Sequence, residues 1–238
     1  EYDNIDKAIS LYEKLLENHS DPLIIKRLND LYKQNNQYED YLQGLKKLYE
    51  YNPDDNETII DIIQIYVANK EYNDAIDFLD ITKSKLYNSE LSESLFMVGR
   101  ALFDDVYYTN DAVIYTYLKQ INDTYASDAN ISYIAGSLAV RIDSLSLSKR
   151  FFDKFLVNRD TIPEVYLQIS FEYMRNKKMD YAAAFLNDAY NKFPSDTRFP
   201  LYISNIYLMN GNYEKSYEIA YPAFLKDTAN IELLILVC

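Results

Sequence analysis

Two consecutive stretches decide the fold: PEVYLQISFEYMRNKKMDYAAAFLNDAYNKFPSD at residues 163–196 and TRFPLYISNIYLMNGNYEKSYEIAYPAFLKDTAN at residues 197–230. Laid one over the other, they align without a gap. Ile169 falls on Ile203, Ser170 on Ser204, Tyr173 on Tyr207 and Met179 on Tyr213, each 34 residues on. A fixed period of this length marks a repeat architecture, in which one supersecondary unit shelters the next.

Inside the unit the apolar spacing is helical. Tyr166, Ile169 and Tyr173 are separated by three and then four residues, and Ala182, Leu186 and Ala189 by four and then three, so each set lines one face of a helix. A polar turn such as Met209-Asn210-Gly211-Asn212 separates the two helices. Phe193-Pro194-Ser195-Asp196 closes the unit, with proline stopping one helix and Ser or Asp capping the next.

The same period appears at the other end of the chain. Tyr32 recurs at Tyr66, Tyr38 at Tyr72, Leu28 at Ile62 and Leu45 at Leu79. Ile25, Leu28 and Tyr32, then Ile59, Ile62 and Tyr66, repeat the first-helix stripe, while Tyr41, Leu45 and Leu48, then Ala75, Leu79 and Thr82, repeat the second. Asn52-Pro53-Asp54-Asp55 is an equivalent closing turn. One period before the late run stand Ala135, Gly136 and Ala139. Gly136, Ser170, Ser204, Ala75 and Ala182 are small where helix backbones must cross closely, because a large side chain would push the hairpin apart. Tyr41 stands at such a slot.

These residues resemble the tetratricopeptide repeat family, whose motif places a large residue, a small one and Tyr on the first helix, then Ala, a large residue and Ala on the second, with Pro at the turn. Tyr166, Ile169-Ser170, Tyr173, Ala182, Leu186, Ala189 and Pro194 carry the best match. The resemblance implies an all-α fold, a right-handed α-α superhelix of antiparallel helix pairs running over residues 1–238 as a single solenoid. It divides into a partial unit at 1–21, units at 22–55, 56–89, 90–128, 129–162, 163–196 and 197–230, and a partial unit at 231–238. The 90–128 unit departs from the pattern. Val98-Gly99 fits a first helix, but Asp104-Asp105-Val106-Tyr107-Tyr108 and a second helix around Ala112–Ile121 imply an insertion of a few residues. Pro222 falls within the second helix of its unit and is expected to kink or shorten it. Neither end carries a polar cap, so the chain is expected to be an interior segment of a longer repeat protein, with both ends covered by further repeats or other chains.

Composition narrows the function classes. Four Gly and six Pro in 238 residues, with 48% hydrophobic residues, disfavour a β-sandwich and disorder alike. A formal net charge of −13 argues against a phosphate-tracking surface, hence against nucleic acid, and against adhesion to anionic membranes. No apolar run reaches the roughly 20 residues of a membrane helix, so a soluble chain without direct membrane insertion is expected. The compartment stays open between the cytoplasm and, given a signal peptide upstream of Glu1, a periplasmic or secreted route.

Catalytic groups are sparse. His19 is the only histidine and lies in Glu17-Asn18-His19-Ser20-Asp21, which reads as a solvated turn. Cys238 is the only cysteine and reads as a buried structural thiol on an apolar helix. The pairs Asp54-Asp55, Asp104-Asp105 and Asp74/Asp77 read as turn and capping residues, and Asp54-Asp55-Asn56-Glu57 lacks the spacing and glycine of a calcium loop. Asn-x-Ser/Thr at Asn18, Asn56, Asn122 and Asn130 is ordinary chance in so Asn-rich a chain. No enzyme, cofactor or metal site is therefore expected.

In the family, first helices line a concave face that takes a protein or peptide partner. Carried onto this chain, that implies a groove lined by Phe96, Arg100 and Phe103; by Tyr133, Ser137, Val140 and Arg141; by Leu167, Phe171, Met174 and Arg175; and by Leu201, Asn205, Leu208 and Met209. Arginine over aromatic and Met surface suits anchoring of a peptide. Packing of the apolar members within the array, with the arginines paired to neighbouring acids, accounts for the same composition. Lys26, Asp30, Lys33, Gln34, Ile60, Gln64 and Val67 hold the equivalent early places, and Asp30 stands where the family's carboxylate clamp needs Asn. The reading is a non-catalytic protein-interaction scaffold. A structural assembly subunit, or the targeting arm of a larger enzyme, are the alternatives.

Overall fold

The computed structural model of the protein describes residues 2–18, 21–121 and 124–238. All regular structure among them is helical, and contacts group the chain into two compact units, one ending at Ile121 and the other running to Cys238.

The first unit contains α1 (Tyr2–Asn18), α2 (Pro22–Gln34), α3 (Tyr38–Tyr51), α4 (Asn56–Ala68), α5 (Tyr72–Thr82), α6 (Asn88–Asp104) and α7 (Asp111–Gln120). The second opens on a 3-10 turn at Tyr125–Ser127. It continues as α8 (Ala129–Arg141), α9 (Leu145–Phe155), α10 (Pro163–Arg175), α11 (Met179–Lys192), α12 (Arg198–Met209), α13 (Tyr213–Lys226) and α14 (Ile231–Val237). In each unit helices pair as tight hairpins (α2 with α3, α4 with α5; α8 with α9, α10 with α11, α12 with α13). The expected stripes form the cores: Ile25, Leu28 and Tyr32 are buried in the first unit, and Tyr166, Ile169, Tyr173, Ala182, Leu186 and Ala189 in the second.

The backbone itself repeats. Asn36, Lys70, Asp143, Lys177 and Gly211 all adopt left-handed φ, between 57° and 75°, at the turn from first to second helix. At each, the next amide donates back across the turn: Gln37 N to Tyr32 O, Glu71 N to Tyr66 O, Ser144 N to Ala139 O, Lys178 N to Tyr173 O and Asn212 N to Tyr207 O, at 2.8–2.9 Å. This is a Schellman closure, which satisfies the carbonyls a helix end leaves free. Neighbouring members are 34 residues apart except Lys70 and Asp143, whose interval of 73 exceeds two repeats by five. The expected insertion is those five residues.

Its surroundings explain the irregular hairpin. Ile114 stands one period before Ser148, so the small slot of α7 holds a large, fully buried side chain, while Gly99 keeps the small slot of α6. The backbones of α6 and α7 cannot close on one another. Tyr117, completely buried, spans the gap and donates its hydroxyl to Leu95 O at 2.9 Å. Elsewhere the small slots are filled as expected: Ala75, Ser170, Ala182 and Ser204 are fully buried.

Capping follows the turn residues. Asp21, Asn110, Asp128, Asn212 and Asn230 each accept a backbone amide at a helix start. One expectation is narrowed and one is corrected. Pro222 does not shorten its helix, since α13 runs through it for 14 residues, as long as α11. Cys238 is exposed rather than buried, because α14 turns only Leu233 fully inward and ends before it.

Candidate partner-binding face

In the second unit the residues of the expected face lie on the first helices α8, α10 and α12. Glu172, one step from Phe171, is its organising residue, and only 6% exposed. Its carboxylate accepts the Tyr133 hydroxyl from α8 at 2.7 Å and the Arg175 Nη2 group at 2.6 Å. A buried carboxylate is tolerable only when its oxygens are satisfied, and here a phenol and a guanidinium do so. Burial, with the Glu172 carboxylate adding to it, pushes the Tyr133 hydroxyl up to about 12, so it remains a donor. Tyr133 also packs on Phe155, ring centres 5.2 Å apart.

Around this network the expected residues separate into two groups. Ser137, Val140, Leu167 and Leu201 are buried, and Met174 is half-buried against the core. Phe171, Leu208 and Met209 remain exposed, at 42%, 39% and 73%. Phe171 presents its ring to Tyr202 of α12 edge-on at 5.1 Å. Asn205 and Arg141 are half-buried, and Arg141 is engaged by neighbours.

In the first unit Phe96 is exposed, while Arg100 pairs with Asp104 at 2.7 Å and lies over the Phe103 ring at 5.7 Å. At the early places, Lys26 reaches Glu57 at 3.8 Å, Asp30 pairs with Arg27 at 3.9 Å, and Tyr41 donates to Asp61 at 2.6 Å. Lys26 and Asp30 are thus each paired, and Lys33 lies over the Tyr41 ring, its ammonium 5.3 Å from the ring centre.

Glu172 was not legible as a site residue. An acid between two aromatics on a helix reads as solvated, and nothing local shows that Tyr133, 39 residues earlier, will cover it. His19 and Asn122 lie outside the described residues, as does the Asn18 side chain. Asn56 donates its amide to Glu90 at 2.6 Å, and Asn130 sits exposed in the first turn of α8. Among the described residues no three His, Cys, Asp or Glu side chains gather as metal ligands, and no helix is long and apolar enough to cross a membrane.

No protein-family model and no curated protein matches the sequence. Solved structures do. The C-terminal part of a TPR repeat-containing protein from Cytophaga hutchinsonii matches over 99% of this chain and 95% of its own, at 16% identity and a TM-score of 0.50. A tetratricopeptide repeat protein from Parabacteroides merdae matches over 99% and 94%, at 13% identity and a TM-score of 0.44. The Cut9–Hcn1 hetero-tetramer of the APC/C matches over 98% of this chain, at 15% identity and a TM-score of 0.38, and the chain spans 45% of that one. The first of these likenesses gives the class: this chain has the all-α tetratricopeptide-repeat fold.

Proposed function

We propose that this chain is a non-catalytic protein-interaction scaffold, and that the face of α8, α10 and α12 holds a peptide or helix of a partner protein. The observation that carries this reading is Phe171. It is a large aromatic left exposed beside Arg175, whose guanidinium is fixed by the buried Glu172, with Leu208 and Met209 exposed on the next first helix. An aromatic anchor next to a pre-oriented guanidinium resembles the few residues that dominate the energy of protein interfaces. Arg141 and Asn205 supply further polar contacts, and in the first unit Phe96, Arg100 and Phe103 form a second aromatic–arginine set. The same reading takes residues 1–238 as one array of repeats, with nucleic acid and membrane insertion excluded as partners by the acidic charge and the polar helices.

The test is partner capture by Phe171→Asp and by the pair Arg141→Glu with Arg175→Glu. Both should lose the captured protein while helical circular dichroism and the melting temperature of Phe171→Asp stay unchanged. Normal capture by Phe171→Asp would remove this face from the reading.

A further inference from the structure

The second-helix side of the same unit contains a groove that the packing of its neighbours does not fill. Elsewhere a second helix leans on the next first helix, as α11 does on α12 and α13 on α14, but the backbone of α9 scarcely approaches α10. Two local features cause this. At 11 residues α9 is shorter than α11 and α13, and a seven-residue connector, 156–162, with Asn158 in left-handed φ, carries the chain away before α10 begins.

What opens is a groove of about 550 Å³ between α9 and α11. Its floor is aromatic: Phe152, Tyr166, Tyr173 and Phe185. Tyr166 stacks on Phe185 at 5.6 Å, and Phe152 meets Tyr173 edge-on at 5.7 Å, so the rings are pre-positioned against each other. Both ends are strapped. Lys178 at the start of α11 pairs with Asp143 before α9, and Lys192 at the end of α11 pairs with Asp160 after it, each at 2.6 Å. The straps hold the two helices at a fixed separation without filling the space between them. Tyr173 and Phe171 lie two positions apart on α10, about 160° around the helix, so this groove opens away from the face proposed above.

Charge selects the occupant. The walls carry Asp153 and Asp188 against a single ammonium, Lys149, which hydrogen-bonds Asp153 at 2.7 Å. Asp188 is exposed on the opposite wall and has no ion pair among the described residues, although Lys149 is within its electrostatic reach. The surplus is anionic, on a chain of net charge −13. An apolar slot of this size with one uncompensated carboxylate at its lip fits two large apolar side chains one helical turn apart, with a Lys or Arg beside them. We infer that the α9–α11 groove docks a short amphipathic helical segment of a partner protein, basic at its flank, independently of the α8–α10–α12 face.

A displayed library of randomised helical peptides, selected on the whole chain and counter-selected on Ala184→Trp, tests this. Ala184 is exposed on the groove wall, so the indole fills the slot without entering the core. Enriched peptides should carry paired apolar residues and an excess of Lys or Arg. Synthesised singly, they should lose about tenfold or more in affinity on Ala184→Trp and on Asp188→Lys, and bind Phe171→Asp like the parent. No enrichment, binders indifferent to Ala184→Trp, or binders without a basic excess would each overturn the inference. Loss on Phe171→Asp alone would assign the peptides to the other face.

Discussion

Asn29 and Gly44 share one space: a Cβ on Gly44 would stand 1.7 Å from Oδ1 of Asn29. Asn29 occupies the slot, three residues before the last aromatic of the stripe, that holds Ser170 and Ser204 in later repeats. It is 3% exposed, and neither heteroatom of its amide has a hydrogen-bond partner among the described residues. An orphaned buried amide costs about 1–3 kcal/mol. Asn29→Ser, whose hydroxyl can bond back to the preceding turn as Ser170 does to Tyr166 O at 2.7 Å, should therefore gain about 1 kcal/mol after the small void is counted. Gly44→Ala should lose about 2 kcal/mol, and the double variant should recover most of it, a coupling that urea denaturation resolves. Strict additivity would contradict the shared space.

Glu172 joins α8 to α10 through Tyr133 and Arg175. Glu172→Ala strands a half-buried hydroxyl and a guanidinium, at a cost of about 2 kcal/mol. Tyr133→Phe should cost only about 1 kcal/mol, since Arg175 still satisfies the carboxylate. Denaturation of the two variants and their combination checks the order. A larger loss from Tyr133→Phe than from Glu172→Ala would show that ring packing on Phe155, not the carboxylate, holds this face.

The repeat was legible because its determinants are local. Stripes such as Ile25, Leu28 and Tyr32 need only a helical period to be recognised, and the small residues at 170, 182 and 204 need only steric reasoning. The insertion showed as broken register. Its five-residue size emerged from the left-handed turn residues at Lys70 and Asp143, where neither residue type demands that conformation. The candidate site was less legible, because exposure on a first helix depends on how far the neighbouring hairpin covers it. Leu167 and Phe171, four residues apart, read alike, yet one is buried and the other open. The α9–α11 groove depends on a seven-residue connector and the tilt it permits, and no side-chain pattern announces that.

Lys70 and Lys177 hold left-handed φ of 62° and 61° at the turns where Gly211 holds 75°. A non-glycine residue there costs roughly 1 kcal/mol, a strain that Gly lacks. Lys177→Gly should raise stability by about 0.5–1 kcal/mol. Lys70→Gly should gain less, because Lys70 also pairs with Asp105 at 2.9 Å. Thermal melts of both variants measure the difference, and a loss at Lys177 would refute the strain.

Stability should fall at both extremes of pH, for opposite reasons. The Asp105, Asp160, Glu164 and Asp196 carboxyls are held below their ordinary values, chiefly by hydrogen bonds from Lys70, Lys192 and Arg198. Groups depressed by folding contribute above their unfolded pKa and stop contributing as pH drops through the folded one, so the acid limb lies below the ordinary carboxylate range. The Tyr72 and Tyr133 hydroxyls are raised from 10.0 to about 12, first by burial and then by Asp105 and Glu172. Raised groups contribute fully below 10 and lose that contribution as pH climbs toward 12. Urea midpoints across pH, with tyrosinate absorbance followed in parallel, should show the alkaline loss shrinking in Tyr133→Phe. An unchanged alkaline limb would mean that Tyr133 does not contribute to it.

Pro222 sits in the middle of α13, exposed, with no amide to offer the carbonyl of Glu218 and a ring that crowds that carbonyl. The helix continues because its inward residues are committed on both sides of the proline. Ala220 and Ala223 are fully buried, packed in one cluster with Leu201 of α12 and Leu233 of α14. Tertiary packing thus overrides a local penalty of roughly 3 kcal/mol. Pro222→Ala restores the donor and removes the clash while leaving those contacts in place. It should stabilise the second unit by about 1–3 kcal/mol and slow amide exchange over the second half of α13. Ala223→Gly in the parent should instead fray that half-helix, since it removes a packed methyl where the backbone has least support. Faster exchange in Pro222→Ala would show that the fixed backbone angle of the proline steadies α13 more than the missing donor weakens it.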